Sequence, residues 1–310
     1  MFVVKIANYK HVIQILIPTP IKKFRKILIR LFVGFLLLIL LLGFTLSLPF
    51  VQTKIGSVIT EKINNDFGTD ITIQKVSVTV FGGVKLKQVL VRDHHKDTLF
   101  YITRFKTSIS DYKRLYEGDL LFGSAQMDGF LFKLKHYKNE SETNLDRFVA
   151  AFDDGKPSSG KFLLKADRID LKNSRFIMLD ENKEVVKDVD FLDLNATLLD
   201  FKIKGSDVTS LIQNMSFKDF RGLKVNELDA DFTYTKKNII LNNLKTKTSN
   251  SSLEGAVVLK YKREDFSDFN NKVVFDVQLD NAVISTNDIY YFYKELGRNN
   301  SFVLSTHLTG

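Results

Sequence analysis

The chain contains no cysteine and no tryptophan, and only 4 of its 310 residues are proline. The missing cysteine excludes disulfide frameworks, thiol redox centres, cysteine nucleophiles and zinc sites built on thiolates. With 44% apolar and 26% charged residues, the chain has the composition of neither a disordered tail nor a disulfide scaffold. Its length alone suggests about two globular units.

Acidic residues are also missing from the start of the chain, where none occurs before Glu61. The formal net charge of +9 therefore has a local origin. Seven basic residues, which contribute +7, lie within residues 1–30: Lys5, Lys10, Lys22, Lys23, Arg25, Lys26 and Arg30. The rest of the chain is close to neutral, so we do not expect a basic surface for nucleic acid.

A run without any charged side chain follows this basic segment, from Leu31 to Val51. About 20 apolar residues cross the hydrocarbon core of a bilayer. The sequence therefore predicts a transmembrane helix over residues 31–51, with residues 1–30 as a cytoplasmic basic segment by the positive-inside rule. A cleaved signal peptide is the alternative, but the exit Ser47-Leu48-Pro49-Phe50 is a poor cleavage site. The bulk of the chain is then expected in the periplasm, anchored by a single pass in the inner membrane.

Residues 52–68 are predicted to form an amphipathic helix that ends at Gly68. Its apolar residues recur at three- and four-residue spacing: Val51, Ile55, Val58, Ile59, Ile63 and Phe67. From Ile71 onward the apolar period changes to two, which is typical of β-strands. Across residues 69–310 the pattern predicts about sixteen to twenty strands and a few short helices. The helices are expected at Tyr112–Glu117, Ser141–Phe152 and Thr286–Leu296.

So few helices cannot cover so much sheet. Large open sheets curl or split into two packed sheets. Loosely repeated strand patterns at Gly83–Asp93, Ala166–Asp180 and Val225–Tyr234 favour a sheet extended by similar neighbouring units. We therefore predict a mainly β fold, in which the N-terminal transmembrane helix precedes an elongated, curled antiparallel β-sheet with a groove. A closed β-sandwich is the alternative.

Four segments near the start of the chain form a characteristic series. The anchor ends in Leu48-Pro49-Phe50-Val51-Gln52, and the amphipathic helix leads into Phe67-Gly-Thr-Asp-Ile-Thr-Ile-Gln-Lys-Val76. After Gly82-Gly83 come Val84-Lys-Leu-Lys-Gln-Val-Leu-Val-Arg-Asp93 and Asp97-Thr-Leu-Phe100. This series resembles the start of proteins of the AsmA-like family, and within it the TamB type, the translocation and assembly module subunit. The close resemblance covers about residues 26–135.

This resemblance implies an inner-membrane anchor and a long, taco-shaped β groove with an apolar interior. It implies transfer of phospholipid acyl chains from the inner to the outer membrane. For the TamB type it further implies a partner barrel of the BamA superfamily in the outer membrane and a role in outer-membrane protein assembly. Because TamB-type proteins are much longer, we expect this chain to be the N-terminal part of a larger protein.

The apolar positions of the first strands are the predicted lining of this lipid-binding groove. The candidates are Ile71, Ile73, Val78, Val80, Val84, Leu86, Val89, Val91, Met127, Phe130, Phe132 and Leu134. Their alternation changes parity at Gln74–Val76 and again at Gln88–Val89, which indicates β-bulges that would curve the sheet. The competing interpretation is that these residues pack a sandwich core.

Chemistry-bearing clusters are few. His94 and His95, flanked by Asp93 and Asp97, could suggest a metal site, but their position in a predicted hairpin turn favours a solvated turn. No pairing of nucleophile and base stands out, and Gly82-Gly83 lacks the features of a phosphate-binding loop. We therefore expect no enzyme activity, catalytic residue, metal or cofactor. The alternative function is a membrane-anchored β-sandwich module that recruits a periplasmic protein partner by strand addition.

Overall fold

The computed structural model describes residues 20–79, 83–109, 120–151, 163–204, 207–235, 237–262 and 272–310. The chain divides into two units, Met1–Val51 and Gln52–Gly310. The predicted helix at Tyr112–Glu117 and the predicted groove residue Val80 lie outside the described residues.

Two consecutive helices open the described part of the chain. Helix α1 runs over Pro20–Ser47 and helix α2 over Pro49–Phe67. Proline is favoured in the first turn of a helix and cannot continue a preceding helix, so Pro49 explains why α1 ends earlier than the predicted span. Among the described helices, none alone has the length and apolar character for crossing a membrane. Ile29–Thr45 and Pro49–Phe67 meet that requirement only as a pair, bent by 70°.

The second unit is built from long strands. They are β1 (Asp70–Val78), β2 (Gly83–Arg92), β3 (Thr98–Ile109), β4 (Leu120–His136), β5 (Leu163–Asp180), β6 (Lys187–Lys204), β7 (Asp207–Asp219), β8 (Lys224–Tyr234), β9 (Asn238–Thr248), β10 (Ser252–Lys260), β11 (Val274–Ser285) and β12 (Ser301–Thr309). The short helices are α3 (Asn144–Ala150), α4 (Thr286–Ile289) and a 3₁₀ turn at Lys294–Leu296. The mainly β prediction is confirmed.

All twelve described strands belong to one sheet, and their order in the sheet is their order in the chain. Every neighbouring pair is antiparallel except β4 and β5, which are parallel. The prediction of a purely antiparallel sheet is therefore wrong at this one place. A parallel pair requires a crossover of a dozen or more residues, and the segment between His136 and Leu163, which contains α3, supplies it.

The twelve described strands are fewer than the predicted number and are long. Strand β5, for example, continues through Asn173, a residue type that is common in turns. Among the described residues there is no second hydrogen-bonded sheet, as a two-sheet sandwich would require. Apart from neighbouring strands, the sheet packs mainly against α3 beside β4 and α4 beside β11.

Helix α2 covers the outer edge of β1 through two side-chain amides. Asn64 donates from Nδ2 to the Ile71 carbonyl at 2.8 Å and accepts from the Ile71 amide at 2.9 Å. Gln52 makes the same pair of bonds with Val78, at 2.8 and 2.9 Å. Each amide thus replaces the backbone of a neighbouring strand. Because an unpaired edge strand is a template for aggregation, α2 protects this end of the sheet.

A line of left-handed residues crosses the sheet. We call it the bulge row, and its members are Gln88, Gly129, Asn173, Asp193, Asn214, Asn243 and Gly255, all with positive φ. Glycine, asparagine and aspartate tolerate this backbone conformation best. Strand registers shift near most of these residues from β5 onward, whereas β1, β2 and β3 keep their register past Gln88. The predicted β-bulges at Gln74–Val76 and Gln88–Val89 are therefore wrong, because neither strand gains an extra residue there; Gln88 has a positive φ within an unshifted register.

Where the register shifts, the bulge row keeps apolar side chains on one face of the strand. Strands β7 and β9 each carry two consecutive exposed residues where the apolar alternation is interrupted, and the next apolar residue follows after them. One extra residue in a pleated strand reverses which face the following side chains occupy. The reversal compensates for the interrupted alternation, so each strand remains apolar on one face along its length.

The buried Asp190 carboxylate of β6 forms an ion pair with the partly exposed Arg175 of β5 and so joins these two strands. Arg175 donates twice to Asp190, at 2.8 Å each, and Lys187 donates to it at 3.2 Å. The Arg175 bond, together with that from Lys187, holds the pKa of Asp190 below its ordinary value against the opposing effect of burial. Asp190 is only 1% exposed.

Because the folded pKa is lowered, Asp190 stabilises the protein above the unfolded pKa of about 3.9 and loses this effect as pH falls toward the folded value. We expect Asp190→Asn to lower the free energy of unfolding by about 2 kcal/mol at pH 7. Between neutral and acidic pH, the free energy of unfolding of the Asp190→Asn variant should then decrease less than that of the unmodified chain. Urea unfolding across this pH range measures both effects. Exposed Glu184 provides the control, as Glu184→Gln should leave the pH profile unchanged; an undiminished acid effect in Asp190→Asn would contradict the assignment.

Candidate functional site

Two rows of directly paired residues run across the sheet, perpendicular to the strands. The first comprises Ile71, Val91, Phe100, Phe132, Phe176 and Phe191, on β1 to β6. The second comprises Val78, Val84, Thr107, Ala125, Ile169, Leu198, Ile212 and Ala230, on β1 to β8. With one threonine as the only polar member, these rows make an almost continuous apolar surface over neighbouring strands.

Four phenylalanines of the first row and Phe217 of β7 form a ladder of aromatic rings, which we call the phenylalanine row: Phe100, Phe132, Phe176, Phe191 and Phe217. Successive ring centroids are 4.9, 5.2, 6.1 and 4.1 Å apart. These distances lie in or near the favourable range for offset or tilted aromatic pairs. All five side chains nevertheless remain half-buried. Phe148 of α3 contacts Phe100 edge-on at 6.0 Å, so this short helix packs against one end of the row.

The best-buried part of the apolar face lies on the other side of the bulge row. Ala125, Ala166 and Ile169 are buried there against a ring of larger, half-buried side chains: Phe105, Phe122, Met127, Leu171, Leu198 and Phe201. Small residues thus lie at the centre of this patch and larger ones around them, within a single-layered sheet. The larger side chains expose apolar surface, because no second layer of the described chain packs over them.

On the opposite face of the same strands, charged side chains form ion pairs. Lys133 donates to Asp97 at 2.8 Å, and Arg104 forms an ion pair with Asp128. The Arg104 hydrogen bond is the main cause of the lowered pKa of Asp128. Lys133 alternates along β4 with Phe132 and Leu134, so one face of this strand is polar and the other apolar. A sheet with two such different faces presents one of them to water and requires an apolar neighbour for the other.

The predicted groove residues of β1 and β2 lie opposite one another. Ile71 pairs with Val91, Ile73 with Val89, and Val78 with Val84. Leu86 pairs with Val76, which was not among the predicted residues.

The predicted residues of β4 join the same surface. Met127 lies opposite Phe105, Phe130 opposite Ile102, Phe132 opposite Phe100, and Leu134 beside Met178 of β5. The prediction missed Phe122 of β4 and six aromatic residues of other strands: Phe100, Phe105, Phe176, Phe191, Phe201 and Phe217. These residues share a sequence pattern that could have identified them. In each strand, two stretches of alternating apolar and polar residues are separated by two polar residues or by a polar residue and a glycine.

The turn between β2 and β3 holds a separate polar cluster. Asp93 is buried and accepts hydrogen bonds from the His95 and Asp97 amides, both at 3.0 Å. Its second carboxylate oxygen accepts from the Tyr137 hydroxyl at 2.8 Å and from Asn144 Nδ2 at 3.0 Å. Burial, followed by the bond to Asp93, raises the pKa of Tyr137. The predicted turn at Asp93–Asp97 is confirmed, and it is tied to the segment that follows β4.

His94 and His95 extend from this turn toward Glu140, a residue that the sequence did not single out. Their Nε2 atoms lie 2.8 and 2.7 Å from the two Glu140 carboxylate oxygens. The His95 hydrogen bond is the main cause that lowers the pKa of Glu140 to about 2. The two histidines are neighbours in sequence, whereas only the folded chain brings Glu140 to them.

No family model matches the chain, and no curated protein matches it.

Proposed function

We propose that this chain is a membrane-anchored lipid-transfer protein of the AsmA-like, TamB type, in which the apolar face of the sheet binds phospholipid acyl chains. The observation that carries the proposal is the pair of apolar rows, which run across six and eight neighbouring strands without a covering layer in the described residues. The resemblance of residues 26–135 to that family supports the same conclusion.

The physical argument concerns what can cover this face. Each buried CH₂ group contributes about 0.8 kcal/mol, so a sixteen-carbon chain in water is disfavoured by about 12 kcal/mol. A trough lined by half-buried phenylalanine and aliphatic side chains removes most of that penalty without any chemical step. The charged residues of the other face keep the sheet soluble, and lipid headgroups remain in water.

The bulge row supports a curled sheet. A β-bulge bends its strand and increases the local twist. Irregularities aligned over β5 to β11 bend neighbouring strands at corresponding positions, which favours a trough over a flat sheet. A curled sheet of this kind is the groove that the resemblance implies.

The rest of the proposal concerns place and partners. The uncharged run after seven basic residues supports an inner-membrane anchor with its N-terminus in the cytoplasm. The sheet would then extend into the periplasm and carry lipid between the inner and outer membranes or support outer-membrane protein assembly, with an outer-membrane barrel of the BamA superfamily as partner. Helix α2, which lies along the edge of β1, would stand where lipid enters from the anchor.

Site-specific photocrosslinking tests the acyl-chain proposal in cells. Leu86 and Phe105 pair across β2 and β3 on the apolar face, and the exposed Lys85 and Lys106 pair beside them. We expect benzoylphenylalanine at position 86 or 105 to capture phospholipid, identified by mass spectrometry, at least tenfold more than at position 85 or 106. Leu86→Asp should reduce lipid capture at position 105 while the chain remains folded.

Equal lipid capture from both pairs, or capture from positions 85 and 106 only, would overturn the proposal. Capture of a protein in place of lipid from positions 86 and 105 would favour the alternative function, a module that recruits a periplasmic partner. Circular dichroism of each variant confirms that the sheet is intact.

A further inference from the structure

Three potential metal ligands converge at one end of the phenylalanine row. His94 and His95 belong to the turn between β2 and β3, and Glu140 follows β4 before α3. One ligand atom of each residue, an imidazole nitrogen or a carboxylate oxygen, lies within 4.8 Å of the others. The residues therefore come from two segments that are more than forty residues apart in the chain.

The arrangement is held by bonds that do not involve the ligand atoms themselves. The buried Asp93 carboxylate fixes the turn by accepting from the His95 and Asp97 amides. The Tyr137 ring packs against both histidine rings, with its centroid 3.9 Å from that of His95 and 5.4 Å from that of His94. The Glu140 amide donates to the Tyr137 carbonyl at 3.2 Å. Tyr137 thus positions all three ligand-bearing residues.

We propose that His94, His95 and Glu140 bind Zn²⁺. Two imidazole nitrogens and one carboxylate oxygen form a ligand set that zinc accepts, at about 2.0–2.2 Å from each ligand atom. In a tetrahedral site the ligand atoms are about 3.3 Å apart. The His–Glu140 contacts of 2.7 and 2.8 Å would lengthen slightly on binding, and all three ligand atoms already lie within 4.8 Å of one another. Imidazole ligands favour zinc over magnesium and calcium, which prefer oxygen.

The bound ion would join the β2–β3 turn to the chain between β4 and α3. Phe100 lies shortly after this turn on β3, and Phe132 lies on β4, so the ion would clamp the strands that begin the phenylalanine row. Side-chain exposures of 24% for His94, 47% for His95 and 17% for Glu140 leave the site open to solvent on one side. Water can therefore occupy the fourth position.

One nearby charge opposes the ion. The Arg147 guanidinium of α3 lies 3.4 Å from a Glu140 carboxylate oxygen. A bound cation must displace this guanidinium or accept its repulsion. Arg147 therefore sets the affinity of the site without being one of its ligands.

Titration of the complete chain, purified in detergent micelles without a histidine tag, tests the proposal. Calorimetry with Zn²⁺ should show one ion per chain, and bound Co²⁺ should show the visible absorption of a tetrahedral site. We expect Glu140→Gln and His95→Ala to weaken Zn²⁺ binding at least tenfold, and Arg147→Gln to tighten it about threefold or more. Calcium and magnesium should not compete.

His307→Ala is the matched control, because His307 makes a similar 2.7 Å contact with Asp276 on β11. Its Zn²⁺ affinity should stay within twofold of the unmodified chain. Circular dichroism establishes that each variant is folded, and the Arg147→Gln variant tests the site by a gain of affinity that unfolding cannot produce. Absence of binding at submillimolar Zn²⁺, or equal affinity in the unmodified chain and Glu140→Gln, would overturn the proposal.

Discussion

Replacement of Asn144 by alanine is expected to lower the free energy of unfolding by about 3 kcal/mol. Asn144 is completely buried at the start of α3. Its Nδ2 donates to Asp93 and to the Lys133 carbonyl, both at 3.0 Å, and its Oδ1 accepts from the Lys135 amide at 2.9 Å. Alanine would remove these three hydrogen bonds in a site that is closed to water. Urea unfolding followed by circular dichroism measures the change.

Asn182 provides the control for this experiment. It makes a comparable set of hydrogen bonds, including those from Nδ2 to the Tyr137 carbonyl and to Asp180, both at 3.1 Å. It is exposed, however, so water replaces the bonds that alanine removes. Asn182→Ala should therefore cost less than about 1 kcal/mol. If the two variants were equally stable, Asn144 would not be the buried link between α3, β4 and the β2–β3 turn.

A similarly large effect is expected for Gly255→Ala in β10. The added Cβ atom would lie 1.9 Å from the Gln278 carbonyl oxygen of β11, and the residue has a φ of +156°. Backbone atoms of the neighbouring strand cannot move away as a flexible side chain could. We expect a loss of about 3 kcal/mol or more in the free energy of unfolding, measured by urea denaturation.

Gly297 is the control that separates the effect of a close contact with a neighbouring strand from the effect of a positive φ. It also has a positive φ, of +68°, but a Cβ atom there would meet nothing within 4 Å. Gly297→Ala should therefore cost only the roughly 1–2 kcal/mol of a left-handed alanine. A Gly255→Ala variant no less stable than Gly297→Ala would show that β10 and β11 do not approach each other so closely.

The bulge row explains why the strand count was overestimated from sequence. Asn173 and Gly129 are residues that normally mark turns, and each interrupts an apolar alternation. In the structure both lie within continuous strands, β5 and β4. Glycine and asparagine occur both in turns and in bulges because many of each contain a residue with a positive φ, and the hydrogen bonds on either side distinguish the two. Neighbouring strands supply those bonds, and a single segment does not reveal them.

The candidate site was also only partly predictable, because part of it depends on contacts between distant segments. Alternating apolar residues identified Ile71, Val91 and Phe132 as members of one face. Phe176 and Phe191 escaped because their place in the row depends on the parallel pairing of β4 with β5, and this pairing depends on the crossover that contains α3. Glu140 escaped because its only link to the histidines is spatial.

The sequence by itself determined the mainly β character, the basic segment before an uncharged run, the helix after it and the Asp93–Asp97 turn. These features follow from local composition and periodicity, which act over a few neighbouring residues. The tertiary structure alone decided the single twelve-strand order, the parallel step, the alignment of the bulge row and the meeting of His94 and His95 with Glu140. Each of these is a relation between distant segments, fixed by which backbone groups find hydrogen-bond partners and which apolar side chains share a face.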